Sequence, residues 1–200
     1  ATPLWSMIRF GQWDELLHEP PPPKSLRLHQ GIWRLGRGLA LAASGRLPGA
    51  EGEHVVLAGL AKRLGRDRTQ DEKTERALLK IGERLLAGEL AMHRRQYDAA
   101  LESFTDAVRL EEALPYTEPP FWPIPIRHYL GAALLTAGQP GKAEAVYRAD
   151  LTKHPRNGWA QFGLMQSLRA QRKGPEEYDV EKQLKQTWEH ADVTLTASRF

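Results

Sequence analysis

Cysteine is absent from the 200 residues, which removes disulfides, thiolate metal sites and thiol nucleophiles together. No apolar run approaches the roughly 20 residues that a bilayer-crossing helix needs, so no membrane span is expected. An excess of one charge is also missing. The 28 Lys and Arg residues are set among 25 Asp and Glu, leaving a formal +3, a mildly basic surface and not the footprint of a nucleic-acid binder. There is no G-x-S-x-G elbow, no phosphate-binding P-loop, no strand followed by a glycine-rich dinucleotide turn and no H-E-x-x-H. No cofactor is expected. With 41% hydrophobic and 26% charged residues, the chain has an ordinary folded composition and is long enough to bury a core.

What is present is repetition. Gly38, Gly88, Gly131 and Gly163 lie inside apolar, helix-patterned stretches, and twelve residues after the first three come Ala50, Ala100 and Ala143. Glycine inside a helix costs about 1 kcal/mol in propensity, so its recurrence predicts close helix–helix approach, with the alanine as the facing contact. The clearest unit runs from Arg127 to Pro155. Tyr129, Leu130, Ala133 and Leu134 form one helical face, Gly138 ends that helix, and Pro140 opens the next with Ala143, Val146 and Tyr147. Further units are read at Ser25–Leu64, about Lys80–Leu114 and Asn157–Ala191.

These units resemble tetratricopeptide repeats, which are about 34 residues long with Trp, Leu-Gly and Tyr on the first helix and Ala, an aromatic and Pro later. Leu130-Gly131, Ala143, Tyr147 and Pro155 carry the match in one unit, Ala100 and Phe104 in a second, Trp159 and Gly163 in a third. The pattern departs at His54, where an aromatic belongs, and at Pro175 and Asp179 in the last unit; the glycine spacings are 50, 43 and 32, so two connections are longer than the family's. The resemblance implies an all-α, right-handed superhelical solenoid of antiparallel helix pairs, about four repeats over 25–190, with nine or ten helices and no sheet. Residues 1–18 read as a truncated N-terminal repeat whose apolar face (Trp5, Ile8, Trp13, Leu16) lacks cover, and 191–200 as an extended tail over the last helix pair. The stretch EPPFWPIPIR and this tail resemble the C-terminal region of long bacterial proteins of the same family, which implies bacterial cytoplasm or periplasm without choosing between them.

The main irregularity is the connection at 110–128, with five prolines from Pro115 to Pro125 and Tyr116, Phe121 and Trp122 between them. Proline fixes φ, so the segment is stiff and able to form a ligand wall or to plug an overlong connection. In the resembled family the first helix of each pair lines the inner groove. Spacing from the glycines then places Glu89, His93, His128 and Asn157 there as polar points on an apolar surface that includes Leu35, Ala132, Leu135, Thr136, Ala160 and Leu164. Tyr116, Glu118, Trp122, Arg127 and His128 are expected at the junction of loop and groove, where an aromatic, a carboxylate and an imidazole offer apolar area, charge and a switchable proton. An Arg127–Glu118 ion pair is the purely structural alternative. The seven histidines show no metal-ligand spacing, so no metal site is assigned. The KRLGRDR run at 62–68 reads as a solvated loop between repeats. The resulting expectation is a non-catalytic scaffold that takes a peptide or protein partner, whether upstream repeats of the same protein or another chain. The alternative is the C-terminal part of a larger enzyme or of a ligand- or metal-binding protein, with this segment forming one wall of the site.

Overall fold

The computed structural model describes residues 2–62 and 69–199. Among the described residues there are ten α-helices and no strand: α1 (Thr2–Arg9), α2 (Trp13–His18), α3 (Arg27–Ala43), α4 (Leu47–Lys62), α5 (Gln70–His93), α6 (Tyr97–Glu112), α7 (Ile126–Thr136), α8 (Pro140–Lys153), α9 (Gly158–Ala170) and α10 (Gly174–Thr187). Helices adjacent in sequence pack in pairs. The chain divides into two compact units, Ala1–Ile124 and Pro125–Phe200, so the unit boundary falls inside the stretch 25–190 expected as one array.

One turn recurs in both units. The residue after the C-cap enters the left-handed region at Gly11 (φ 63°), Gly45 (73°), Arg95 (59°), Gly138 (71°) and Arg172 (59°). In each case the next backbone N–H bonds the carbonyl five residues back, as in Arg46 to Leu41 at 2.8 Å and Gln139 to Leu134 at 2.9 Å, and likewise from Gln12, Gln96 and Lys173. The next helix begins two residues after the left-handed residue every time. This satisfies carbonyls that a helix end would otherwise leave open. Glycine adopts the conformation without penalty, whereas Arg95 and Arg172 bear the Cβ clash.

In the first unit α3 is central, packing against α1, α2, α4 and α5. Its glycines admit neighbours that a side chain would exclude. A Cβ at Gly36 would lie 2.8 Å from Leu16, and one at Gly38 would lie 2.4 Å from Leu86. Arg34 and Arg37 lie over the Trp33 ring at 4.6 and 4.9 Å and both bond the buried Glu53 of α4, at 2.7 and 3.0 Å. Of the N-terminal face expected to lack cover, Ile8 and Leu16 are buried, packed beside Gly36, whereas Trp5 and Trp13 are half-buried. Helix α5 begins at a capping box. The Thr69 hydroxyl accepts from the Glu72 N–H at 3.2 Å, and the Glu72 carboxylate accepts from the Thr69 N–H at 3.1 Å. It therefore starts about ten residues earlier than the unit expected from Lys80.

In the second unit, Tyr147 of α8 fills the space left by two glycines. Its ring would stand 2.3 Å from a Cβ at Gly131 of α7 and 2.2 Å from one at Gly163 of α9. At Gly88, in the first unit, the ring that would meet a Cβ is that of Phe104. The four glycines thus mark close helix approach as expected, but Leu86, Phe104 and Tyr147 provide the contact, and Ala50, Ala100 and Ala143 are buried beside it. Glu144 of α8 accepts from Arg148, Gln171 and Lys173 at 2.9, 2.8 and 2.7 Å, tying α8 to the turn between α9 and α10. Residues 191–199, expected as an extended tail over the last helix pair, have no regular structure. They do not stop at the last pair: the buried Ser198 hydroxyl donates to the His128 carbonyl of α7 at 2.8 Å and accepts from the Tyr147 hydroxyl of α8 at 2.7 Å.

Candidate functional site

A cleft of about 690 Å³ opens between α4, α5 and α6. Helix α4 contributes His54, Ala58, Ala61 and Lys62; α5 contributes Arg76, Lys80, Glu83 and Arg84; α6 contributes Asp106, Arg109 and Leu110. Arg76, Lys80 and Arg84 are spaced by four, so they form one stripe along α5. Among the described residues, five cationic side chains face two carboxylates, and both carboxylates are occupied within the cleft. Glu83 meets His54 Nε2 at 3.0 Å and Arg84 at 3.5 Å, and Asp106 meets Arg109 at 3.0 Å. Burial works to raise the Glu83 pKa, but the His54 hydrogen bond and the charges of Arg84, His54 and Lys62 outweigh it, and the carboxyl is held below its ordinary value. Among the described residues the lining holds no side-chain hydroxyl or thiol. It offers cationic side chains, a short apolar floor and one imidazole engaged with a carboxylate.

Sequence reading passed over this cleft because its charges are separated by acids along the chain. The available signal was the spacing of four from Arg76 to Arg84, which gathers them on one helix face. Lys62, the first residue of the 62–68 basic run, belongs to the lining; residues 63–68 of that run lie outside the described residues.

The residues expected to form the working surface are placed as follows. In the first unit, Glu89 is buried, His93 is exposed in the last turn of α5, and Tyr116 is 86% exposed. The Tyr116 hydroxyl donates to Glu118 at 2.6 Å, and that bond with Glu118 and its charge raise the Tyr116 pKa. Trp122 is not displayed. It is 5% exposed, meets Trp5 edge-on at 4.7 Å between ring centroids and lies near Gly82 of α5. Its ring is part of the core, because a stiff proline-rich segment that folds back over an apolar helix buries its largest apolar surface first.

In the second unit Arg127 and Asn157 are half-buried, and His128 is fully buried instead of lining an open groove. The His128 Nε2 lies 3.2 Å from the buried Asp150 and 3.0 Å from the Asn157 amide nitrogen, which is itself 3.2 Å from Asp150. The amide orientation is fixed because its oxygen accepts from the Trp159 N–H at the start of α9. A hydrogen on Nε2 lets both ring and amide donate to Asp150, which satisfies this buried group. Serine, histidine and aspartate meet here in the composition of a hydrolytic triad, but Ser198 bonds the His128 main-chain carbonyl and not its ring, and all three residues are sealed from solvent. The cluster joins α7, α8, α9 and the tail.

Ala132, Leu135 and Thr136 line an open hollow of about 490 Å³ with Gln166 and the tail residues Thr196, Ala197 and Arg199. Ala160 and Leu164, expected beside them, are buried. Among the described residues, no three His, Asp or Glu side chains converge as metal ligands would, and no helix is long and apolar enough to cross a membrane. No family model, curated protein or solved structure matches this chain.

Proposed function

We propose that the protein is a non-catalytic, tetratricopeptide-like helical-repeat module that binds a partner peptide segment in the cleft between α4, α5 and α6. The repeat reading is supported by the recurring left-handed turn. From Gly11 to Gly45 and from Gly138 to Arg172 its spacing is 34 residues, the period of that family. In two pairs a buried alanine and a buried aromatic follow the turn at the same offsets, Ala100 with Phe104 and Ala143 with Tyr147. The intervening spacings of 50 and 43 correspond to the extended start of α5 and the proline-rich connection, insertions that a solenoid of such pairs tolerates between repeats.

The binding reading is carried by one observation: an open cleft between helices whose described lining brings five cationic side chains together with two carboxylates. Rigid helices hold those charges in fixed register, and peptide grooves on helical repeats are built in this way. Selection from an unbiased displayed peptide library tests it, with binders counter-screened against the Lys62→Glu/Lys80→Glu double variant. Binders that are lost on the double variant support the reading. A library that yields none, or binders indifferent to the change, removes it.

A further inference from the structure

Phe104 and Tyr147 stand at the same offset from their turns, and their rings fill the space over Gly88 and Gly131 in the same way. That packing needs only the ring, as Phe104 shows, so the Tyr147 hydroxyl has another purpose. A buried hydroxyl is a net loss unless it is paired. Its partner is the tail: the Tyr147 hydroxyl donates to Ser198 Oγ at 2.7 Å, and Ser198 donates onward to the His128 carbonyl at 2.8 Å. Ser198 is the one buried residue among 191–199. The next residue, Arg199, lies over the Tyr129 ring of α7 at 5.8 Å from its centroid, within cation–π range. Upstream of these two the grip is on the main chain. The Trp188 indole donates to the Val193 carbonyl at 2.7 Å, and the Gln166 amide of α9 donates to the Thr196 carbonyl at 3.4 Å. Main-chain bonds hold any extended segment, whereas side-chain seats choose among segments.

The seat is not closed as a core would be. Interiors are packed with few voids larger than a water molecule, yet the tail and the helices beneath it jointly line an open hollow of about 490 Å³. Val193, Leu195 and Ala197 are only half-buried, so little apolar area holds the tail down. We infer that the face of α7 and α9 under the tail is a binding site of the second unit for an extended partner segment with a serine followed by an arginine, and that the tail is its resident, displaceable occupant. This site does not depend on the cleft reading above. An incoming segment that lacks the hydroxyl would take from Tyr147 the partner it now has, and that loss sets the selectivity.

The test uses the full-length chain and a fluorescent peptide with the sequence of residues 192–200, read by anisotropy. In one variant, residues 193–200 are replaced by a Gly-Ser run of equal length, which empties the seat. That chain should melt close to the parent and bind the peptide. The parent should bind it about tenfold more weakly or worse, because its tethered tail competes at high effective concentration. The peptide with Ser198→Ala should bind the Gly-Ser chain about tenfold more weakly than the serine peptide. Tyr147→Phe, added to that chain, keeps the ring and should narrow the difference between the two peptides. Should the Gly-Ser chain lose its cooperative melt, Ser198→Ala in the otherwise unaltered chain is the milder variant. It should raise the apparent affinity for the serine peptide by about tenfold over the parent. A Gly-Ser chain that melts like the parent but takes up no peptide would overturn the inference, as would equal binding of the two peptides or no gain from Ser198→Ala. A dimer of the parent that Ser198→Ala dissociates would give the seat to the tail of a second copy and overturn the partner reading.

Discussion

At Gly131 and Gly163 the same ring decides what the sequence can tolerate. Tyr147 lies between α7 and α9, and a methyl group at Gly131 would come within 2.3 Å of its ring carbons. The ring is buried, and its hydroxyl is committed to Ser198, so it has little room to withdraw. Gly131→Ala should therefore destabilise by about 1–3 kcal/mol despite the better helix propensity of alanine. Gly52 in α4 is the contrast: nothing lies within 4 Å of its hypothetical Cβ, and Gly52→Ala should stabilise by about 0.5–1 kcal/mol. Urea midpoints of the two variants should move in opposite directions. A shift of the same sign would mean that propensity, and not the ring, governs these positions.

At the scale of the element, Glu144 shows how helices are joined by charge as well as by apolar packing. Lys173 foremost, with Arg148 and Gln171, overcomes the desolvation of its carboxyl and lowers the pKa to about 2 from an ordinary 4.5. A carboxyl whose folded pKa is depressed contributes stability that is complete above its unfolded pKa and disappears as the pH falls through the folded one. The loss should thus fall between pH 4.5 and about 2. Its size is about 1–2 kcal/mol, less than the full shift implies, because Lys173 and Arg148 remain partly exposed and solvent screens them. Thermal melts of the parent should decline through this window. Glu144→Gln should start lower at neutral pH and decline less, and parallel curves would refute the assignment.

The helices themselves were legible from 3.6-residue periodicity and from the punctuation of Gly138 and Pro140, which the turn between α7 and α8 uses as anticipated. Arg95 and Arg172 hid two equivalent turns, because arginine carries no turn signal and only the paired carbonyl bonds reveal the conformation. The turn register places Met165, and not Gly163, at the position equivalent to Gly131. In that register Glu177 and Glu181 stand at the alanine and aromatic positions, so the last pair departs from the pattern in either alignment. The candidate site was less legible still. His128 was read as a groove residue from spacing alone, but its burial depends on Asp150 and Asn157, 22 and 29 residues away. The cleft draws on three helices, and no local pattern brings Lys62, Lys80 and Arg109 together.

For the whole molecule, the informative boundary is the one between Ile124 and Pro125. Helix α6 ends at Glu112, and a division by secondary structure alone would end the first unit there. The structure extends that unit through the proline-rich segment because Trp122 is buried in it, at 5% exposure. Trp122 meets Trp5 of α1 and approaches Gly82 of α5, so the segment returns to the core after leaving α6. Loss of a buried tryptophan costs about 3–5 kcal/mol, a large fraction of the 5–15 kcal/mol by which a domain is typically stable. A fragment of residues 1–124 should therefore unfold cooperatively, whereas 1–114 should melt early or not fold, although both contain α1–α6 in full. Trp122→Ala within 1–124 should reproduce most of the difference. Equal melting of the two fragments by circular dichroism would show that the prolines merely pass over the unit, and that its core closes without the tryptophan.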